Sequence, residues 1–317
     1  MACARAGASF VIDHHASPSM IDGSLDIIAE AFDEVGLGHL LCYEITDRDG
    51  PEKARQGLAE SRRYLKNRQG LVGLHASFTV SDESLEAAMD LVREKQSGLH
   101  VHVAEDLYDQ EHCLATHHKR VVHRLAQAGA LSSSRTMLVH GLHLDDSERE
   151  ILRLSPAWLA QNPESNLNNR VGFFSARGLS DRILLGTDGM HSDMLRSMHT
   201  AFFTGQAFSE VGYLEAYQRL RRVHGYLREN EFEGDADNNL VVLDYDPPTE
   251  MTSGNLPAHF LFGLNASHVK HLIARGRLIM KDGQFLHLDE EQIMAHARKE
   301  ASLLWKRMEA MWARGRT

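Results

Sequence analysis

Apolar and polar positions along the chain follow two periods. Short runs with strand-like alternation recur, and between them lie stretches with apolar residues at helical spacing. Ser9–Asp13 is the first such strand and runs into His14-His15-Ala16-Ser17-Pro18. A helix is predicted over Ser24–Val35, with Leu25, Ile28, Ala31, Phe32 and Val35 on one side and Gly36 at its end. Gly38–Ile45 is the next strand. Pro51–Lys66 is the next helix, and Pro51 suits its first turn. Gly70–Leu74 leads into His75-Ala76-Ser77-Phe78. Ser81 is placed to cap a helix over Ser81–Glu94, whose first turn carries Asp82 and Glu83. The pattern continues with a strand at Leu99–Ala104, a helix at Arg120–Gln127 and a strand at Arg135–Val139 that ends at His140-Gly141. A short helix at Asp145–Leu154 and a strand at Ala157–Ala160 follow. The strand enters Gln161-Asn162-Pro163-Glu164-Ser165-Asn166. A last strand at Arg182–Gly186 ends at Thr187-Asp188-Gly189.

Strands that alternate with helices read as parallel βαβ units. Nearly every strand here ends in a residue able to do chemistry: His15, His75, His102, His140, Asn166 and Asp188. A (β/α)8 barrel gathers its strand C-termini at one mouth, where its chemistry sits. A doubly wound sheet needs polar residues only at one crevice, and the chain has no glycine-rich nucleotide motif. The predicted fold is therefore α/β: a distorted TIM barrel over residues 1–235, with seven strands and the first strand absent. Beyond Asp188, a largely helical stretch spans Asp193–Tyr226. Strands are expected at Asn239–Tyr245, His271–Ala274, Arg277–Met280 and Gln284–Leu286, the last after the Asp282-Gly283 turn. They make a small, incomplete β-sandwich domain over 236–290. An amphipathic helix, Glu291–Ala313, occupies the C-terminal segment 291–317.

The stretch Leu99-His-Val-His-Val-Ala-Glu-Asp106 carries the sharpest chemical hint. Alternation puts His100 and His102 on one face and Val101 and Val103 on the other. Glu105 follows just beyond the strand end. With a metal on His102, Glu105 is close enough to pass protons to or from water. Taken alone, the run also fits an edge strand with solvated histidines.

Composition narrows the partners. The chain has 317 residues, 43% hydrophobic and 25% charged, as in a globular enzyme. Its net charge of −10 argues against nucleic acid and anionic membranes. Twenty histidines raise the case for metal or proton-transfer chemistry. Cys3, Cys42 and Cys113 show neither metal-type spacing nor even pairing, so a reducing, cytoplasmic setting is expected. There is no membrane-length apolar run, and Met-Ala-Cys-Ala-Arg does not open a signal peptide.

Three motifs in order, His102-Val-Ala-Glu105, Leu138-Val-His-Gly-Leu-His143 and Thr187-Asp188-Gly189, resemble the amidohydrolase superfamily, in its cytosine/guanine deaminase-like branch. Val11-Ile-Asp-His-His-Ala-Ser-Pro18, Asn162-Pro-Glu-Ser-Asn-Leu-Asn-Asn169 and Leu240-Val-Val-Leu-Asp-Tyr-Asp-Pro-Pro248 resemble the SsnA-like aminohydrolases within it. The resemblance implies one divalent metal, zinc or iron. It implies His102 and Asp188 as ligands, Glu105 as proton shuttle, and His140 as a contact to substrate or to the reacting water. His15, His75 and Asn166 are weaker candidates for lining the substrate. The first-strand H-x-H that supplies two further ligands in the family is absent. His100-Val101-His102 has that spacing but stands in fifth-strand context, and His14-His15 are adjacent. His140 becomes a third ligand only by leaving its family role.

The implied activity is hydrolysis of a non-peptide carbon–nitrogen bond in a small molecule, with deamination of a purine- or pyrimidine-like heterocycle foremost. A catalytically inactive remnant without a full metal site is the rival reading, and an amide- or chloro-hydrolase is a third. Open strand edges favour a homo-oligomer. His143, His191 and the pair His117-His118 read as surface residues.

Overall fold

The computed structural model describes residues 1–209 and 211–314. Seven strands lie side by side in chain order: β1 (Phe10–His15), β2 (Gly38–Ile45), β3 (Val72–Ala76), β4 (Leu99–Val103), β5 (Met137–His140), β6 (Trp158–Gln161) and β7 (Ile183–Leu185). Every neighbouring pair is parallel, with helices on the crossovers. This is the predicted TIM-like arrangement. The row stays open, because β1 and β7 are its two ends.

Strand alternation sorts the side chains into two layers. Leu40 and Cys42 of β2, Met137 and Val139 of β5, Trp158 and Ala160 of β6 and Leu184 of β7 fill the interior, beside Phe10 and Ile12 of β1. Tyr226 and Leu227, on the helix Val223–Glu229, join that cluster with Phe232. The Tyr226 hydroxyl donates to the backbone oxygen of Arg135 at 2.8 Å, so this plug sits at the N-terminal end of the strands. The opposite faces carry Leu41, Tyr43, Leu74, Val101, Val103, Leu138, Leu159 and Ile183, which pack on Leu25, Ala29, Leu85, Ala88 and Leu91 of the surrounding helices.

Local chemistry sets the helix starts. Ser81 accepts from the Ser84 N–H at 3.1 Å, as its N-cap position predicts. Asp145 and Glu148 form a reciprocal capping box at the head of the helix Asp146–Leu154. The sequence pattern placed one helix after β4, whereas the structure has two, Leu107–His117 and Val121–Gln127. The first buries Asp109, Gln110 and Cys113, a mostly polar face that produces no hydrophobic period.

Beyond the barrel, β8 (Leu240–Leu243), β9 (Val269–Ala274), β10 (Arg277–Lys281) and β11 (Gln284–Phe285) form an antiparallel sheet in the order β11-β10-β9-β8. Its Leu272, Ala274, Ile279 and Met280 pack on Ala4 and Leu37. The C-terminal helix runs Glu290–Arg314, and residues 315–317 lie outside the described ones. Among the described residues no helix is long and apolar enough to cross a membrane.

Candidate active site and metal centre

The C-terminal strand ends converge because the backbone bends there. Ala104, His140 and Asp188 all adopt left-handed conformations, with φ of 47°, 75° and 52°. Non-glycine residues seldom do so, and such bends concentrate at functional sites. His140 shows the effect of the bend. It shares strand parity with Leu138, which packs outward against the helices. A regular strand would carry His140 outward as well. The bend brings its ring instead to 5.5 Å from that of His102.

Four groups meet at this point. His140 Nε2 lies 3.5 Å from a Glu105 carboxylate oxygen and 3.9 Å from Asp188 Oδ2. His102 donates from Nδ1 to the backbone oxygen of His75 at 2.6 Å. A carbonyl can only accept, so His102 Nε2 keeps its lone pair. Asn166, on the helix Pro163–Asn169, donates to His140 Nδ1 at 2.8 Å and so leaves the ring proton on Nε2. Asp188 accepts from the Ser165 hydroxyl at 2.6 Å and from the Gly189 N–H at 2.7 Å. Asn169 donates to Glu105 at 3.2 Å. Below Glu105, the buried Asp109 accepts from the N–H groups of Ala104 at 2.8 Å and Phe78 at 3.1 Å, which pins the turn that presents Glu105.

The surroundings separate the two carboxylates. Burial raises the Glu105 pKa above the ordinary glutamate value, against the Asn169 hydrogen bond. Burial acts the same way on Asp188, but the Ser165 and Gly189 donors and the nearby His140 hold its pKa below the ordinary aspartate value. Burial pushes His140 down to about 3, aided by His102 and opposed by Asp188, so the ring is neutral near pH 7. His75 falls to about 4, again mainly through burial.

Of the residues singled out from the sequence, His75, His102, Glu105, His140, Asn166 and Asp188 come together. His75 lies with its ring 5.4 Å from that of His102. His15 does not join them. It leans on Tyr43 of the outer layer, with ring centroids 6.2 Å apart. Its neighbour His14 points inward instead, with its ring 4.8 Å from that of His102 and its Nε2 3.4 Å from Glu44. His14 shares its inward strand face with Ile12, two residues earlier. His100, Cys42 and Glu44 share inward faces with residues already noted and were missed as well. The surface reading of four other histidines holds only for His118, which is exposed. His117 packs 3.2 Å from Asp82, His143 bonds the Val171 oxygen at 2.7 Å, and His191 pairs with Glu164.

Three donor groups at the mouth, Glu105, His140 and Asp188, have ligand atoms within 4.8 Å of one another, and the His102 ring lies 5.5 Å from that of His140. The His102 lone pair and the Asp188 carboxylate are the ligands the chain offers most directly. His140 would be a third only with its proton on Nδ1, which the Asn166 N–H opposes. Two protein ligands are fewer than the three usual at a catalytic zinc.

This barrel, with an acidic and imidazole-lined mouth, defines a metal-dependent hydrolase fold. The amidohydrolase family model matches residues 1–221, and the chain belongs to that family. It is 28% identical over 302 residues to a 5'-deoxyadenosine deaminase of Methanopyrus kandleri, covering 88% of this chain and 70% of the relative. It is 27% identical over 308 residues to a 5-methylthioadenosine/S-adenosylhomocysteine deaminase of Thermoanaerobacter pseudethanolicus, covering 89% of this chain and 71% of the relative. The crystal structure of a zinc-bound adenosine deaminase from Xanthomonas campestris superposes with a TM-score of 0.80 at 19% identity, over 96% of this chain and 73% of that one.

Proposed function

We propose that this protein is a metal-dependent aminohydrolase that removes an exocyclic amino group from a purine-type heterocycle. The observation that carries the reading is the meeting of His102, Glu105, His140 and Asp188 at one rim of the barrel. The deaminases among its relatives, which are named for adenosine-type compounds, supply the substrate class.

His102 and Asp188 would hold the ion, zinc or iron, which supplies a hydroxide nucleophile at neutral pH. Asp188, kept ionised by its hydrogen bonds, accepts the proton of the attacking water. Glu105 holds a proton more readily than a free glutamate and delivers it to a ring nitrogen of the heterocycle. His140 is neutral and donates from Nε2 to the developing tetrahedral centre. Asp188 then passes its proton to the exocyclic amino group, the carbon–nitrogen bond breaks, ammonia leaves, and Glu105 takes back the hydroxyl proton of the new carbonyl. His75 and Asn166 position His102 and His140. The finer resemblance, to the SsnA-like aminohydrolases, agrees with this chemistry. We also read the chain as cytoplasmic and homo-oligomeric, on its three free cysteines and the two end strands of its open row.

The test is ammonia release by the zinc- or iron-loaded chain from adenosine, 5'-deoxyadenosine, S-adenosylhomocysteine, guanine and cytosine. Release from a purine that disappears in Glu105→Gln supports the reading. A chain that holds metal at the mouth yet releases no ammonia from any of these overturns it. One that binds no ion at the mouth establishes the inactive remnant instead.

A further inference from the structure

Beneath the mouth the barrel interior holds a second group of donors. His14 of β1, Cys42 of β2 and His100 of β4 bring their ligand atoms within 4.8 Å of one another. His14 Nδ1 lies 2.7 Å from His100 Nδ1 and 3.3 Å from Cys42 Sγ. These side chains come from three strands, and β3 runs between two of them. Gly73 makes the meeting feasible. It is paired in register with Glu44 on one side and His100 on the other. A Cβ at Gly73 would lie 3.1 Å from Cys42 Sγ and 2.3 Å from the Tyr43 backbone oxygen.

The tautomers point the same way. Glu44 faces His14 Nε2 at 3.4 Å and favours the ring proton there. His14 Nδ1 is then a lone pair that accepts from His100 Nδ1–H. Lone-pair imidazole is the form that binds metal.

We propose that His14 Nδ1, Cys42 Sγ and His100 Nδ1 form a second ion site, with a ligand set suited to zinc, distinct from the His102–Asp188 site above it. Two imidazoles and a thiolate suit borderline-soft ions such as Zn2+ and its probe Co2+, and disfavour Mg2+ and Ca2+. With bonds of about 2.0 Å to nitrogen and about 2.3 Å to sulfur, tetrahedral donors stand roughly 3.3–3.6 Å apart. The Cys42 contact is near that spacing. The two Nδ1 atoms must separate by about half an ångström, and β1, an end strand with all six residues half-buried, is the element free to give. The protons balance simply. His100 moves its ring proton from Nδ1 to Nε2, and Cys42 releases its thiol proton to solvent as the sulfur–metal bond forms.

The test titrates the chelator-stripped full chain with Co2+ and then with Zn2+. Metal per chain is read by plasma mass spectrometry and the cobalt form by absorption spectroscopy. Wild type is expected to take up about two ions per chain, one of them giving a thiolate-to-cobalt charge-transfer band that Zn2+ abolishes. Cys42→Ser should lose the band and one ion, with its circular dichroism unchanged. Asp188→Asn should keep the band and lose the other ion, so failure of the mouth site and failure of this one look different. Absence of the band in wild type overturns the proposal whatever the variants do. Persistence of the band in Cys42→Ser overturns it too, since Cys3 or Cys113 would then be the ligand.

Discussion

His102 Nδ1 sits 2.6 Å from the backbone oxygen of His75 and spends its only proton there. The ring is thereby oriented and its Nε2 is committed to the mouth as a lone pair, the arrangement in which histidine ligates metals. His102→Ala is expected to abolish retention of zinc at the mouth after gel filtration. The cobalt–thiolate band of the deeper site should survive. Undiminished mouth zinc in the variant would contradict the assignment.

Glu105 differs from Asp188 in what its surroundings do to its proton. Glu105→Gln keeps the size and the Asn169 contact but cannot carry a proton. It should lower kcat by about 10²- to 10⁴-fold. Metal content and far-ultraviolet circular dichroism should match wild type, with KM changed only a few-fold. A rate within a factor of three of wild type would remove Glu105 from the chemistry.

Asp109 links the site to stability. Burial raises its pKa to about 6, despite hydrogen bonds from Ala104 and Phe78. A raised carboxyl binds its proton more tightly folded than unfolded. Its stabilising contribution is therefore full below the unfolded value of 3.8 and is lost as pH rises through about 6. Urea unfolding of wild type and Asp109→Asn at pH 4.5 and pH 7 isolates this term. The variant's stability relative to wild type should be poorer at the lower pH. Parallel shifts at both pH values would show that Asp109 does not titrate in this window.

Glu148 is fully buried and accepts from Arg120, from Gln110 and from the Val122 N–H at 3.0 Å. Removing its carboxylate strands the Val122 and Asp145 N–H groups and leaves Arg120 with Asp145 and Gln110 with the His143 oxygen as remaining acceptors. Glu148→Ala should destabilise the fold by about 3–5 kcal/mol, read as a lower urea midpoint with an unchanged slope. A loss under 1 kcal/mol would mean that water replaces the carboxylate.

Much of the architecture was legible from the chain. Alternating strands and helices, Ser81 as a cap and polar residues after each strand all follow from local rules that act within a few residues. The helix Leu107–His117 was not legible, because the face it buries holds Asp109 and Gln110 in place of an apolar stripe. The choice between His14 and His15 was not legible either. Parallel strands covered on both sides are apolar on both faces, so alternation says that the two histidines part but not which goes inward.

The sequence by itself determined which residues stand at the ends of the strands, and so which chemistry the rim would hold. Tertiary structure decided where those side chains point. The left-handed turn at His140 reverses the direction its strand parity would impose. The bare backbone at Gly73 lets donors from three separate strands meet beneath the rim. Both depend on backbone bends and on close approach between distant segments. A linear pattern of residue types carries no record of either.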